Sequence, residues 1–263
     1  MKEEKKKLRI LSFTDFTPYG DAAVAHALAL CMIFHAELCI LPLHKEQKSY
    51  SNVFKNVLDT AAQQGIIVTQ YPQCPSLHKE IYHFMEENNA MMMVISVANS
   101  KHTTFFTRRK ALSFIKKSRV PVLAVGKTLP ISHAYQHVIL PLDSSVYSKE
   151  KSLWASYFSR FYNAQVHVLY KKYKDQFLRY KLQENVGFTE KLYANLEVLF
   201  QKHQVEDMNE DIDSYAFTFA ESVNGTLVLS MMTKYPSLFD LLLGTKEQRT
   251  IHYVDKIPYL YIN

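Results

Sequence analysis

The sequence predicts an α/β protein made of two doubly wound domains, each with a five-stranded parallel sheet. Short apolar runs of strand length alternate with segments whose apolar residues recur at helical spacing. The second half of the chain also repeats the order of elements in the first half. The length of 263 residues, with 48% hydrophobic and 21% charged residues, is typical of a globular chain large enough for two compact domains.

Five strands and four helices are expected in the first half of the chain. Thr17 is a natural N-cap for the first helix, and Pro18 occupies its first helical position. Because a helix follows each of the first four strands, right-handed crossovers join the strands into a parallel sheet that is covered on both faces. The expected strands are Ile10–Phe13, Leu38–Leu43, Ile66–Tyr71, Met91–Val97 and Val120–Val125, and the later helices are Asn52–Gln64, Leu77–Asn88 and Phe105–Ser118.

The second half repeats this pattern with matching spacing. The run Leu8–Asp15 resembles His137–Asp143, since both are apolar segments that end in aspartate. Ser145 then corresponds to Thr17 and is expected to cap the equivalent helix. The chain is therefore two copies of one unit. The two expected domains are residues 1–130 and 131–263.

The main departure from the repeat is Lys171–His203. This segment contains several Tyr and Phe residues and replaces the shorter second helix of the first copy. Four apolar residues in it are expected to form one helical stripe. Two interpretations stay open, because the stripe either packs on its own sheet or forms an interface within the chain or between subunits. The stripe consists of Leu192, Leu196, Leu199 and Phe200.

Charge and hydropathy exclude several classes of protein. The formal net charge is +6, and part of this excess lies in the lysine-rich start of the chain. No zinc-finger spacing, basic heptad region or basic-aromatic motif accompanies it, so nucleic acid is not an expected partner. The most membrane-like stretch, Ala22–Leu43, contains two histidines, Glu37 and Pro42, which indicates a buried helix and strand and no membrane partner. Cys31, Cys39 and Cys74 form no Cys-x-x-Cys pair and are expected to be reduced core thiols of a cytoplasmic protein.

Catalytic and metal signatures are weak in this sequence. His78 and His83 are five residues apart, which is the wrong spacing for a helical metal pair, and no metal site is expected. No nucleophile elbow of the Gly-x-Ser-x-Gly type occurs. We therefore expect a protein that is not an enzyme, with a nucleotide hydrolase as the alternative.

The segment Thr14–Pro18, the following alanine-rich helix and Ala36–Leu38 together resemble the universal stress protein family. Arg119–Val125 is similar to the last strand of that family, and the resemblance covers both repeats. It implies an α/β fold related to the adenine nucleotide alpha hydrolases, in which the two repeats form an intramolecular pseudo-dimer. It also implies a role in stress response and, in many members, the binding of ATP.

The resemblance also implies particular binding residues. Asp15 and Asp143 match the aspartate that contacts adenosine in ATP-binding members, although an aspartate at a strand end also serves as a turn or cap residue. Gly244 and Thr245 match the end of the phosphate loop in the second repeat. The two earlier glycine positions of that loop hold Met231 and Lys234, of which Lys234 offers a cation to phosphate. In the first repeat Arg108-Arg109 stands where Gly-Ser is expected.

Two functions follow as hypotheses. The first is a non-catalytic stress-response protein with a degenerate nucleotide-binding site that binds ATP weakly in the second repeat. The second is a protein–protein interaction scaffold that no longer binds nucleotide. In both cases a homo-oligomer, and most simply a homodimer, is the expected assembly.

Overall fold

A computed structural model describes residues 7–43, 51–72, 80–98, 106–130, 134–206, 211–233, 240, 242 and 244–263. The chain divides into two compact units. Unit 1 comprises residues 1–132, 254–256 and 263, and unit 2 comprises residues 133–253 and 257–262.

Unit 1 contains a five-stranded parallel sheet with the strand order β3-β2-β1-β4-β5. Each predicted strand of the first half is present, so this part of the predicted fold is confirmed. The elements are β1 Arg9–Thr14, α1 Pro18–Phe34, β2 Glu37–Pro42, α2 Asn52–Gln63, β3 Val68–Gln70, α3 Glu80–Glu87, β4 Ala90–Ser96, α4 Arg108–Lys117 and β5 Val122–Val125.

Helix α1 begins where the sequence predicts. The Thr17 side chain accepts a hydrogen bond from the backbone N–H of Gly20, and Pro18 occupies the first turn. The helix ends at His35, which adopts the left-handed conformation with φ 51°. This start fixes the turn between β1 and α1, which contains Asp15.

Unit 2 also contains a five-stranded parallel sheet, with the strand order β10-β9-β6-β7-β8. Strand order reverses between β6 and β9, and in such sheets ligands bind beyond the carboxyl ends of the strands at this point. The elements are β6 His137–Leu142, α5 Ser148–Tyr162, β7 Gln165–Lys171, α6 Gln176–Asn195, β8 Phe200–Val205, α7 Ile212–Ser222, β9 Leu227–Met231, α8 Lys246–Thr250 and β10 Tyr259–Ile262.

The predicted cap at Ser145 is wrong, because α5 begins three residues later at Ser148. The side-chain amide of Asn185 donates hydrogen bonds to the carbonyl oxygens of Asp143 and Ser145, at 2.9 and 2.7 Å. The Ser145 carbonyl also accepts a hydrogen bond from the Ser148 backbone N–H at 3.1 Å, and no side chain caps α5. Asn185 therefore holds residues 143–145 in a turn, and the helix starts after it.

The predicted helical stripe is wrong in its second half. Helix α6 has 20 residues against 12 in α2, as the longer segment suggests, but it stops at Asn195. Glu197 adopts a positive φ of 54°, which ends the helical path. Leu199 consequently lies outside the helix and is 49% exposed, while Phe200 begins β8 and packs against Tyr193.

Two further predictions concern the cysteines and membrane-spanning helices. Cys31 and Cys39 are free and buried, which confirms them as core thiols, whereas Cys74 lies outside the described residues. No helix in the described part of the chain is both long and apolar enough to cross a bilayer.

Candidate functional site

The predicted site residue Asp143 follows β6 at the carboxyl edge of the sheet in unit 2. One oxygen of its carboxylate, Oδ1, accepts hydrogen bonds from the Ser148 hydroxyl at 2.6 Å and from the Ser145 backbone N–H at 3.0 Å. The other oxygen, Oδ2, accepts a hydrogen bond from the ammonium group of Lys246. Both carboxylate oxygens are therefore engaged by the protein itself.

Lys246 links Asp143 to a second buried carboxylate. Its Nζ lies 2.9 Å from Oδ2 of Asp213, whose side chain is 1% exposed. The Nζ of Lys151, which is fully buried, lies 3.8 Å from the other oxygen of Asp213. These four side chains form a line of alternating charge, Asp143, Lys246, Asp213 and Lys151, that we call the ion-pair chain.

Four elements bring the ion-pair chain together. Asp143 follows β6, Lys151 lies in the first turn of α5, Asp213 begins α7 and Lys246 begins α8. In a parallel α/β sheet every helix that follows a strand starts at the carboxyl edge, so these starts converge on one place.

The pKa shifts describe a strongly coupled set of charges. Burial by itself raises the pKa of the Asp143 carboxyl, but the ammonium groups of Lys246 and Lys151 outweigh burial and hold that pKa well below its usual range. Burial lowers the pKa of Lys246, and the carboxylates of Asp213 and Asp143 outweigh this and raise it above its usual value. Asp143 and Lys246 therefore both stay charged across the physiological pH range.

Gly244 and Thr245, the other predicted site residues, form the start of α8. Gly244 has φ +85°, a conformation that suits glycine, and Thr245 is the N-cap. The side-chain oxygen Oε1 of Gln248 accepts a hydrogen bond from the Thr245 backbone N–H at 2.7 Å, which completes a capping box. The backbone donor that would face a phosphate is thus used inside the helix cap.

Further charges surround this helix start. Arg249 lies 3.0 Å from Asp211 and 3.5 Å from Asp240, and Glu247, which is buried, accepts a hydrogen bond from the Thr233 hydroxyl at 2.9 Å. Acidic side chains therefore outnumber basic ones here among the described residues, which disfavours the binding of a polyphosphate. The acidic residues are Asp143, Asp211, Asp213, Asp240 and Glu247, and the basic residues are Lys151, Lys246 and Arg249.

Two predicted residues remain, Lys234 and Asp15. Lys234 lies outside the described residues. Asp15 is in unit 1, where its Oδ1 accepts hydrogen bonds from the Thr17 hydroxyl at 2.6 Å and the Thr17 backbone N–H at 3.1 Å. A Cβ at Gly20 would lie 2.7 Å from the same oxygen. Asp15 is therefore packed in the turn that starts α1, the alternative role that the sequence left open.

Sequence reasoning missed Lys246, Asp213 and Lys151. A signal existed for Lys151, because it occupies the same helical face as the buried residues Ala155 and Phe158, where a lysine is unusual. Lys246 directly follows the predicted loop end at Gly244-Thr245, so its position in the sequence was a second signal. Asp213 carries no comparable signal, because aspartate is common in the first turn of any helix.

Within the residues that the structure covers, no set of three or more His, Cys, Asp or Glu side chains is placed so that it could hold a metal ion.

Comparisons with known proteins support the fold. No model of a known protein family matches the sequence, and no curated protein matches it. A universal stress protein from Archaeoglobus fulgidus DSM 4304 is similar over 97% of this chain and 98% of its own, with 13% identity and a TM-score of 0.69. A protein of unknown function from Pseudomonas aeruginosa PAO1 is similar over 97% of this chain and 92% of its own, with 13% identity and a TM-score of 0.67. A universal stress protein solved in complex with cAMP is similar over 49% of this chain, with 17% identity and a TM-score of 0.38.

The two full-length similarities establish a shared fold. The predicted resemblance to tandem universal stress proteins is therefore confirmed for the architecture of the chain. Function has to be argued from the site itself, because one fold hosts many functions.

Proposed function

We propose that this chain is a non-catalytic, cytoplasmic stress-response protein whose second repeat retains an adenine-nucleotide site in degenerate form. The observation that carries the proposal is the position of Lys246, whose ammonium group binds Asp143 and Asp213 together. A nucleotide that used Asp143 would have to displace this lysine from two carboxylates. Because apparent affinity falls with the fraction of open sites, we expect a Kd for ATP of about 1 mM or weaker.

The helix cap at Thr245 supports the same proposal. A phosphate that approached this loop end would compete with the Gln248 side chain for the Thr245 N–H. The acidic excess around α8 adds repulsion. The carboxylates of the ion-pair chain are held by internal cations, which disfavours a role for them as acid or base in catalysis.

Titration of ATP tests the proposal. With a Kd of about 1 mM, 10 mM ATP stabilises the folded protein by about 1.4 kcal/mol, which thermal unfolding detects as a small shift in Tm. We expect Asp143→Ala to abolish this shift and Asp59→Ala, an exposed change on α2, to leave it unchanged. A Kd in the micromolar range, or turnover of labelled ATP, would contradict the proposal.

A protein–protein scaffold is the second candidate, and an exposed row on α5 favours it. Leu153, Tyr157 and Phe161 recur every four residues along one face and are 42%, 39% and 48% exposed. Contiguous apolar patches on a protein surface often mark contact sites. We expect a second copy of the chain to cover this row in a homo-oligomer, most simply a homodimer.

Light scattering after size exclusion tests the scaffold. Leu153→Lys combined with Phe161→Lys should convert an oligomer into a monomer that still unfolds cooperatively, with a Tm that no longer depends on protein concentration. Specific interfaces are populated at about 100 μM, so a wild-type chain that is monomeric at this concentration would contradict the scaffold hypothesis. If ATP causes no shift in Tm and the chain is oligomeric, the scaffold becomes the favoured function over nucleotide binding.

A further inference from the structure

A cavity lies beside the long inserted segment of unit 2. It has a volume of about 350 Å³ and is formed by the carboxyl ends of β7 and β8 and the helix α6. Ligand pockets in proteins span about 300 to 1,000 Å³, so this cavity suits a small molecule. Neither of the proposed functions above uses it.

Gly187 opens the cavity on the side of the helix. It lies within the 20-residue helix α6, where glycine is less favourable than alanine. Apart from its two chain neighbours and the nearby backbone of its own helix, no atom of the described residues lies within 4 Å of the point where its Cβ would stand. A side chain at this position would therefore take up space at the cavity, and glycine leaves that space free.

The charges of the cavity favour an anion. Four of its lining residues are basic and one is acidic. Lys202 is neutralised by Glu190 at 2.5 Å, and Lys172 lies 3.8 Å from Glu206. Lys171 and Arg179 have no carboxylate partner in the described ranges. The lining charges are Lys171, Lys172, Arg179, Lys202 and Glu190.

The rest of the lining is aromatic and apolar. Tyr170 and Tyr173 contribute rings, and Leu182 and Val186 contribute aliphatic surface from α6. The Nζ of Lys171 lies 5.3 Å from the centre of the Tyr173 ring, so the free cation and an aromatic wall are adjacent. A ligand that satisfies both features has an anionic group next to a flat, apolar body.

We propose that this cavity binds a small phosphate monoester that carries an aromatic ring. Arg179 and Lys171 hold the phosphate, since a guanidinium matches phosphate oxygens in a bidentate geometry and an ammonium adds a second charge. The tyrosine rings and the aliphatic residues of α6 hold the aromatic ring of the ligand. Tyr173 is also hydrogen-bonded to Ser144, the neighbour of Asp143, so the cavity borders the ion-pair chain. The two cations that hold the phosphate, Arg179 and Lys171, are not members of that chain.

Isothermal titration calorimetry with phenyl phosphate tests this site in the full-length protein. We expect saturable binding of phenyl phosphate and at least tenfold weaker binding of inorganic phosphate and of phenol. Lys171→Gln combined with Arg179→Gln should weaken phenyl phosphate binding at least tenfold. The matched pair Lys55→Gln and Lys127→Gln, which removes the same charge from exposed positions of unit 1, should change it less than twofold.

Variants of Gly187 test the space in the cavity independently of its charged residues. Gly187→Leu should weaken binding at least tenfold by filling the space, whereas Gly187→Ala should bind like the wild type. Absence of saturable binding would overturn the proposal, as would equal weakening in the Lys55/Lys127 control or full binding by Gly187→Leu. Binding that is lost in Asp143→Ala but kept in the Lys171/Arg179 variant would also overturn it, because it would assign the ligand to the other site.

Discussion

Asp15 and Asp143 occupy equivalent positions in the two repeats, but different groups satisfy their carboxylates. Asp15 is held by Thr17, two residues along the chain. Asp143 is held by Ser145, by Ser148 and by Lys246, which lies 103 residues further on. A strand-end aspartate needs donors, and in the second repeat a distant cation supplies one of them.

Replacement of Lys246 by methionine should destabilise the protein. The change leaves Asp143 and the buried Asp213 without their shared cation, and breaking a buried pair in this way costs about 3 kcal/mol. Urea denaturation at pH 7 measures the free energy of unfolding directly.

The matched control for this measurement is Lys55→Met on the exposed face of α2. We expect this control to change the free energy of unfolding by less than about 0.5 kcal/mol. A loss of under about 1 kcal/mol in Lys246→Met would show that the ion-pair chain contributes little to stability.

At the scale of elements, Gly244-Thr245 forms the start of α8, a structural role that its match to a phosphate loop does not predict. A phosphate loop and a helix N-terminus both use a glycine followed by a residue whose side chain faces backbone N–H groups. In this chain the Gln248 side chain accepts a hydrogen bond from the Thr245 backbone N–H and closes a capping box. The role of the pair in binding stays a prediction.

Three adjacent strands of unit 2 carry a row of histidines. The Nδ1 of His137 on β6 lies 3.1 Å from Nε2 of His167 on β7, whose Nδ1 lies 3.1 Å from Nε2 of His203 on β8. The ring of Phe219 from α7 packs against His203 and His167, with centroids 4.7 and 6.0 Å apart. When all three imidazole rings are neutral, each of the two contacts is a hydrogen bond that holds one proton. A first added proton can bind the ring nitrogen at one end of the row, but a second would place two N–H donors against each other at one contact.

This row predicts a loss of stability in mild acid. Burial, followed by the neighbouring His203 and His137, lowers the pKa of His167 to about 4 from an ordinary value of 6.5. The unfolded chain therefore binds more protons between these two values, and the free energy of unfolding falls as pH decreases from about 6.5 to about 4.

Urea titrations at several pH values measure this dependence. His167→Gln should flatten the slope between pH 6.5 and 4, whereas His83→Gln, at an exposed position on α3, should preserve it. An unchanged slope in His167→Gln would contradict the role of the row.

The central strands were predictable because they are short apolar runs, and burial on both faces of a parallel sheet requires such runs. The edge strand β8 was not predicted, because its sequence is largely polar and it is only partly buried. The start of α5 was not predictable, since it depends on Asn185, which lies 40 residues after Ser145. The end of α6 was also missed, because Leu199 and Phe200 continue the helical apolar spacing past the residue that breaks it.

At the scale of the whole molecule, the doubled architecture follows from the internal repeat, and full-length universal stress proteins share this architecture. The site was predicted only in part. Asp143 lies at the end of its strand and Gly244-Thr245 starts α8, but the groups that contact them come from residues 145–148 and from α8. Their role in binding stays a prediction. Contacts between residues far apart in sequence are set by packing, which local pattern does not encode.

The most direct measurement of the central claim is mass spectrometry of the small molecules released when the purified full-length protein is denatured. The ion-pair chain already occupies Asp143, so we predict that ATP is released at far below one equivalent per chain. Release of ATP at about one equivalent per chain, the amount that a tight site retains through purification, would contradict the account.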